Sequence, residues 1–255
     1  MTDLHADPAE APAGDRNDDP SRRQSPARSR RPFLWPGVGL ILIGLGLVAY
    51  VAWELWVTDI IAAGRQEKNI AAIEYAWSQG DDIATTEFGQ VGAQLRVPRW
   101  GADYTQPILE GTTATQLNAG VGHFEQAVAV GKVGNYAIAG HRTTYGKPFA
   151  RFPELQVGDE IEITTRDATF VYLLISDGDS LTVDPSEVWV ADPIPRNPSG
   201  GLQPPQAEGQ RLLTMSTCSG IFGFDARKIV WGELNRIEYV DGRVKQFTSP
   251  VGSIV

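Results

Sequence analysis

One stretch of this sequence reads Arg211-Leu-Leu-Thr-Met-Ser-Thr-Cys218 and ends on the only cysteine among 255 residues. Its apolar and β-branched residues predict a strand over 211–217. The N-terminal region, described below, places this strand outside the cell, where a single thiol has no internal disulfide partner. Cys218 is therefore either an inert core residue or a residue that is retained because it reacts.

Short runs rich in Val, Ile, Leu, Thr and Tyr flank this stretch and predict further strands. Turn signals at 158–159 and 167–168 separate strands that can pair as neighbours in a hairpin. The segment 194–209 is rich in Pro and Gly and predicts a long irregular loop before the cysteine strand. This frequency of short strands predicts a mostly β fold, either an antiparallel sandwich or a barrel. The other predicted strands are 94–97, 136–139, 160–165, 169–175, 187–190 and 228–239.

The N-terminal region differs in composition from the rest of the chain. Residues 1–31 are rich in Asp, Pro, Ala, Ser and Arg and predict a disordered cytoplasmic tail. Residues 32–53 carry no charge, and as a helix they can cross a hydrocarbon core of about 30 Å. We therefore predict a transmembrane helix at 32–57. A cleaved signal peptide is the alternative, but the sequence at 49–51 fits a small-x-small cleavage site poorly.

The charges beside this span predict its orientation in the cell membrane. Five arginines lie between positions 22 and 31, whereas Glu54 and Asp59 are the first charges after the span. Basic residues mark the cytoplasmic side, so residues that follow the span are predicted to be extracellular. A nucleic-acid-binding tail is the alternative, and a formal net charge of −9 argues against it.

Thr58 and Asp59 can cap a helix, and Ile70, Ile73 and Trp77 recur at helical spacing. Residues 58–89 are therefore predicted to form a partly helical stalk, whose apolar stripe packs against the domain or the membrane surface. The remaining residues, 90–255, form the predicted catalytic domain.

A reactive cysteine needs a partner that exchanges its proton, and histidine is the usual one. His5 lies in the predicted tail, whereas His141 follows the predicted strand at 136–139. Gly140 permits close backbone approach there, and Arg142-Thr143-Thr144 begins a polar loop. A histidine at the end of a strand is also often a structural hydrogen-bonding residue, so two interpretations stay open.

Arg227 follows Cys218 by nine residues and opens the next predicted strand. Two neighbouring strands joined by the intervening loop can place the guanidinium beside the sulfur. There it can favour the thiolate or donate hydrogen bonds to an oxyanion. A surface ion pair is the alternative interpretation of Arg227.

Three separated motifs follow one another along the chain. They are Gly134-Asn-Tyr-Ala-Ile-Ala-Gly-His-Arg-Thr-Thr-Tyr-Gly146 with Pro148-Phe149, Thr214-Met-Ser-Thr-Cys218, and Arg227. Over about 91–248 this set closely resembles bacterial sortases. The resemblance implies a membrane-anchored cysteine transpeptidase with an eight-stranded β-barrel and short helices. It also implies catalytic roles for His141, Cys218 and Arg227.

Within that family the chain is most similar to the class E housekeeping enzymes of actinobacteria. The similar features are Gly122-His123-Phe124 and Tyr145, which follows the catalytic histidine. The resemblance implies that Tyr145 helps to select Ala over Pro in the sorting signal and that His123 lies near the active site. The implied substrate-binding residues are His123, Thr143, Tyr145 and Thr217. Many relatives have a proline two residues after the cysteine, where this chain has Ser219-Gly220.

The implied reaction is cleavage of an LAxTG-like or LPxTG-like sorting signal between Thr and Gly. A thioacyl intermediate on Cys218 then passes the protein to an amine. The implied partners are secreted proteins with C-terminal sorting signals, a lipid II-like cell-wall precursor and the membrane, and not nucleic acid. The sequence predicts no cofactor and no metal, since it has no tract typical of a metal-binding cluster.

Three other functions are alternatives to this one. An L,D-transpeptidase has Ser-x-Gly-Cys-x-Arg, whereas here the glycine is Gly220, which comes after the cysteine, and Arg227 lies nine residues away. A sortase that polymerises pilins, with a lysine side chain as acceptor, uses the same chemistry. A non-catalytic, membrane-anchored binding module with a buried Cys218 is the alternative of a different class.

Overall fold

The computed structural model describes residues 34–53, 57–218 and 226–247. The predicted tail at 1–31 lies outside these residues. Helix α1 (Leu34–Ala52) is apolar along its length, and its window Trp35–Ala52 has a mean hydropathy of 1.9 with no buried residue. It is long and apolar enough to cross a membrane, which is compatible with a single-pass anchor.

The rest of the described chain is mostly strand. Two further helices are α2 (Thr58–Gln79) and α3 (Ala114–Leu117), and three 3₁₀ turns lie at Pro98–Trp100, Phe152–Glu154 and Val188–Ala191. The strands are β1 (Ala84–Thr86), β2 (Gly89–Arg96), β3 (Thr105–Glu110), β4 (Val121–His123), β5 (Gly134–Ala139), β6 (Glu160–Thr164), β7 (Ala168–Leu174), β8 (Leu181–Val183), β9 (Arg211–Cys218), β10 (Arg227–Tyr239) and β11 (Val244–Gln246).

Eight of these strands close into a barrel, which confirms the predicted fold. The order around the barrel is β2-β3-β4-β5-β9-β10-β7-β6, and pairing of β6 with β2 closes it. The pairs β3–β4 and β5–β9 are parallel, whereas the other pairs are antiparallel. Strand β1 adds to β2, and β8 and β11 add to β10. The predicted hairpin at 167–168 is the β6–β7 connection.

Side chains along β9 point alternately into two different apolar clusters. Leu213 and Met215 belong to the cluster that fills the barrel, whereas Leu212 packs in a second cluster with Trp189 and Trp231. Because successive side chains of a strand point to opposite faces, the second cluster lies on the outside of the barrel. Cys218 has the same parity as Leu212, so it also lies on the outer face.

The apolar stripe of α2 packs against the barrel. Ile73 is fully buried, and with Ala76 it contacts Val91, Leu109 and Ala119. The segment 58–89 thus contains a long helix and a strand that are both attached to the domain.

The prediction of a strand at 187–190 is wrong, because Val188–Ala191 form a 3₁₀ turn. Asn135 explains the difference: its side-chain amide donates to the carbonyl oxygens of Val190 and Asp192, each at 3.0 Å. Trp189 and Val190 are both buried against the outer cluster. Adjacent residues of a strand cannot both point to one face, so tertiary packing overrode the strand propensity here.

Candidate active site

Cys218 and Arg227 face each other across two antiparallel strands. Cys218 is the last residue of β9, Arg227 is the first residue of β10, and the register pairs them directly. Arg227 Nη1 donates a hydrogen bond to Cys218 Sγ at 3.0 Å. The thiol is partly exposed, so a cation is held against an accessible sulfur. The surface ion pair considered for Arg227 is not the contact that the structure describes.

His141 reaches the same face from β5. Strands β5 and β9 run parallel with Ala139 beside Ser216, and Gly140 N–H donates to the Ser216 carbonyl at 3.1 Å. The pairing therefore continues beyond the end of β5, and extending the register by two residues brings His141 level with Cys218. The structure thus brings the three predicted catalytic residues together, with Cys218 on β9, Arg227 on β10 and His141 just beyond the end of β5.

Asn118, which was not among the predicted site residues, holds the ring of His141. Asn118 Oδ1 lies 3.1 Å from His141 Nε2. An amide oxygen only accepts, so this contact is a hydrogen bond when Nε2 carries the hydrogen, and the lone pair of the neutral ring is then on Nδ1. Asn118 stands in a short segment between α3 and β4, where no periodicity or motif distinguishes it from other loop amides.

The environment of His141 lowers its pKa. Burial is the larger cause, because it disfavours the imidazolium, and the positive charge of Arg227 adds to the effect. The neutral ring is therefore favoured near neutral pH. A neutral imidazole with its lone pair on Nδ1 can accept a proton from a thiol or from an incoming amine.

The loop after His141 has an uncommon backbone. Tyr145, Gly146 and Lys147 have φ values of 53°, 77° and 49°. Left-handed backbone costs a residue other than glycine about 1–2 kcal/mol, so this conformation requires compensating contacts. The loop is closed by the Phe149 N–H, which donates to the His141 carbonyl at 2.9 Å, and Phe149 is fully buried.

Two of the predicted substrate-binding residues lie on this loop. The ring centroid of Tyr145 is 5.1 Å from that of His141, with 34° between the planes. Thr143 is two residues beyond His141 and half-buried. Both residues are therefore close in the chain to His141, and their contacts with a substrate stay a prediction.

Thr217 and His123 have structural contacts. Thr217 is 2 % exposed, and its hydroxyl donates to the Gly140 carbonyl at 2.8 Å. It alternates with Cys218 and so lies on the opposite face of β9. This bond ties β9 to the residue before His141.

His123 is the last residue of β4 and pairs with Ile138 of β5, which belongs to the barrel cluster. The His123 ring stacks on Tyr136 with centroids 4.5 Å apart, and Nδ1 lies 2.9 Å from Glu110 Oε2. Directly paired residues share a face of the sheet, so His123 lies on the inner face while Cys218 lies on the outer one. The structure does not bring His123 to the cysteine, and its predicted contact with substrate stays a prediction.

The predicted departure at Ser219-Gly220 lies outside the described residues. Within the residues that the structure describes, no group of three or more His, Cys, Asp or Glu side chains is arranged to hold a metal ion.

The chain is similar to several known proteins. The family model described as the sortase domain matches residues 95–235. Sortase SrtE1 of Streptomyces coelicolor is 34% identical over 229 residues, which cover 84% of this chain and 61% of that protein. The solved structure of sortase E from Streptomyces avermitilis is 36% identical with a TM-score of 0.51, and the match covers 61% of this chain and 94% of that one. The SrtA sortase from Actinomyces oris is 35% identical with a TM-score of 0.52, covering 63% and 89%.

The matched domain is more than half of the chain, so the chain belongs to the sortase family, whose members are cysteine transpeptidases. The names of the similar proteins confirm that it is a class E-like sortase. The chain spans 61% of the length of Streptomyces coelicolor SrtE1.

Proposed function

We propose that the protein is a membrane-anchored sortase that cleaves an LAxTG-like or LPxTG-like sorting signal between Thr and Gly. The released acyl group is transferred to an amine of a lipid II-like cell-wall precursor. The observation that carries this proposal is the convergence of Cys218, Arg227 and His141 at the ends of three adjacent strands of the barrel. A binding module with an inert core cysteine is disfavoured, because Cys218 is partly exposed and bonded to a cation.

The first half of the reaction forms the thioacyl enzyme. The proton of Cys218 passes to Nδ1 of His141 while the sulfur attacks the carbonyl carbon of the signal threonine. A tetrahedral oxyanion forms, and the Arg227 guanidinium, already 3.0 Å from the sulfur, stabilises its charge. The intermediate collapses when the C–N bond breaks, and His141 gives the proton to the departing glycine amine.

The second half of the reaction regenerates the enzyme. An acceptor amine attacks the thioester, and His141 accepts the proton that the amine loses. The C–S bond then breaks, and His141 gives that proton to the departing Cys218 sulfur. The lowered pKa of His141 suits this step, because it favours the neutral ring, and only the neutral ring can accept the proton of the amine. The products are an amide bond to the acceptor and Cys218 restored to its starting state.

The loop after His141 is the proposed contact surface for the signal. Tyr145 lies against the catalytic ring, and Thr143 lies between them in the chain. We assign the choice between Ala and Pro in the signal to Tyr145. His123 and Thr217 support the neighbouring strands through the contacts described above.

We further propose that α1 spans the cell membrane with its N-terminus in the cytoplasm and the barrel outside. A sorting-signal protein that keeps its own apolar tail and a lipid-linked precursor are both confined to the same membrane. A catalyst tethered beside them meets a higher effective concentration of each.

The proposal is tested by mass spectrometry on the full chain in detergent micelles. LAxTG and LPxTG peptides are added separately, and the intact mass is measured for a thioacyl adduct. We expect an adduct in the wild type that Cys218→Ala and Arg227→Ala lose. Lys228→Gln is the matched control, because Lys228 follows Arg227 on β10 and bonds to Asp179 instead. A folded wild-type protein that forms no adduct with either peptide refutes the assignment.

A further inference from the structure

Helix α2 contacts the loop that follows His141, although it lies far away in the sequence. Asp59 Oδ1 accepts a hydrogen bond from the Gly146 backbone N–H at 3.0 Å, and Asp59 Oδ2 lies 2.6 Å from Lys147 Nζ. Two helical turns further along, Gln66 Nε2 donates to the Tyr145 carbonyl at 3.4 Å. Three consecutive loop residues thus have a polar partner on α2.

These partners coincide with the strained part of the loop. Tyr145, Gly146 and Lys147 are the residues with left-handed backbone, and two of them are not glycine. A local sequence does not stabilise such a run by itself. The fit is close, since a Cβ atom added at Gly146 would lie 2.7 Å from Gln66 Nε2. The loop conformation therefore depends on the helix beside it.

The same helix reaches the other support of His141. Asn69 is fully buried on α2, and its Nδ2 donates to the Ala119 carbonyl at 3.1 Å. Ala119 follows Asn118, whose side chain holds the His141 ring. The helix thus contacts the chain next to Asn118 as well as the loop that carries Tyr145.

The C-terminal half of α2 attaches the helix firmly to the barrel. Ile73 is fully buried in the cluster between α2 and the strands. Gln94 on β2 donates to Glu74 Oε1 at 3.2 Å. A helix fixed in this way can impose a position on a loop, because its own position is set elsewhere.

We propose that α2 is a positioning element of the active site, in which Asp59 and Gln66 hold the 142–148 loop so that Tyr145 stays against His141. The inference rests on the proposed function, because it assigns a role to a contact of the proposed catalytic histidine. The segment that joins α1 to the barrel then belongs to the catalytic apparatus and is more than a spacer.

The test uses the full chain in micelles and a graded series of variants. Asp59→Ala removes both contacts, Asp59→Asn keeps an acceptor for the Gly146 N–H, and Lys147→Met removes only the ion pair. Glu67→Ala is the matched control, because it removes an exposed carboxylate from α2 that is not one of the helix's contacts with the loop. Thermal unfolding of each variant establishes that it is folded.

Hydrogen exchange of the loop and peptide turnover are measured together. A charge-assisted hydrogen bond in a partly exposed site predicts that Asp59→Ala speeds exchange of the 142–149 amides about ten-fold and lowers kcat/KM about ten-fold. We expect Asp59→Asn to recover part of both losses. Lys147→Met should have a smaller effect than Asp59→Ala and no further effect in the double variant. Glu67→Ala should match the wild type in both measurements.

Two results overturn the inference. One is wild-type exchange and wild-type turnover in Asp59→Ala, and the other is an equal loss in Glu67→Ala. Failure of the proposed function looks different, because the wild type then forms no thioacyl adduct with any peptide. The exchange measurement still decides the role of α2 in that case.

Discussion

Replacing Asn118 by alanine and by aspartate tests the assigned state of His141. In the wild type, Asn118 Oδ1 accepts the hydrogen of His141 Nε2 at 3.1 Å. Alanine removes this acceptor, whereas aspartate replaces it with a negatively charged one of the same shape. The imidazolium gains more from an acceptor than the neutral ring does. We therefore expect alanine to lower the pKa of His141 further and aspartate to raise it.

The rate effect of Asn118→Ala follows from the same bond. A hydrogen bond contributes about 0.5–1.5 kcal/mol between neutral groups and about 1.5–3 kcal/mol when one group is charged. His141 becomes an imidazolium during each proton transfer, so the transition state loses about 1–1.5 kcal/mol more than the resting state. That difference corresponds to a roughly ten-fold decrease in the rate of thioacyl formation.

Two measurements test this prediction. Nuclear magnetic resonance of labelled histidine resolves few signals, because the chain has three histidines, and His141→Gln identifies the signal of interest. Stopped reactions analysed by intact mass give the rate of thioacyl formation on the same samples. Thr115→Ala is the matched control, since Thr115 is an exposed residue of α3, and it should leave both quantities unchanged.

The test depends on the directions in which the two Asn118 variants shift the pKa of His141. Opposite shifts of the His141 pKa in the two variants support an acceptor at Nε2. Shifts in the same direction, or no shift in either variant, show that Asn118 does not accept from this nitrogen. A wild-type rate in Asn118→Ala would remove Asn118 from the mechanism even if the pKa moves.

Three other predictions concern neighbouring parts of the molecule. Arg227→Lys should lower the rate of thioacyl formation about 100-fold, because one point charge replaces a fixed fork of donors, and single-turnover kinetics measure this. Asn135→Ala should destabilise the fold by about 2–4 kcal/mol in urea unfolding, because the fully buried amide bonds to the 3₁₀ turn and to Thr214; unchanged stability would contradict this. Hydrogen bonding to Arg236 lowers the pKa of Glu160 below 4.5, so the pair stabilises the fold above that pH and the stabilisation is lost as the pH falls through the lowered pKa. Glu160→Gln should remove this part of the acid dependence in unfolding measured from pH 7 downward.

Much of the barrel could be predicted from the sequence. The long strands β7, β9 and β10 are dense in Val, Ile, Leu and Thr and were predicted within a few residues. The strands β1, β3, β4, β8 and β11 were missed. Pro107 and Gly122 interrupt β3 and β4, and β1, β8 and β11 have only three residues each. Their pairing is supplied by neighbouring strands, which a local pattern does not contain.

The candidate site was predicted in part. Cys218, His141 and Arg227 stand at strand ends in motifs of characteristic residue types, and a motif is visible in a single sequence. Asn118 and Asp59 were missed, because an amide in a loop and a carboxylate at a helix start are ordinary in composition. Their importance comes from contacts across 23 and 87 residues of chain.

The sequence by itself determined the class of the fold, the apolar helix near the N-terminus and the identity of the three proposed catalytic residues. These properties depend on composition, period and motif, which are local. The tertiary structure decided which face of the sheet each side chain occupies, and it put His123 and Thr217 on the face opposite to Cys218. It also decided that α2 packs beside the loop of Tyr145 and that Asn118 meets His141. Strand pairing sets these positions, and pairing is a relation between distant segments that no single segment encodes.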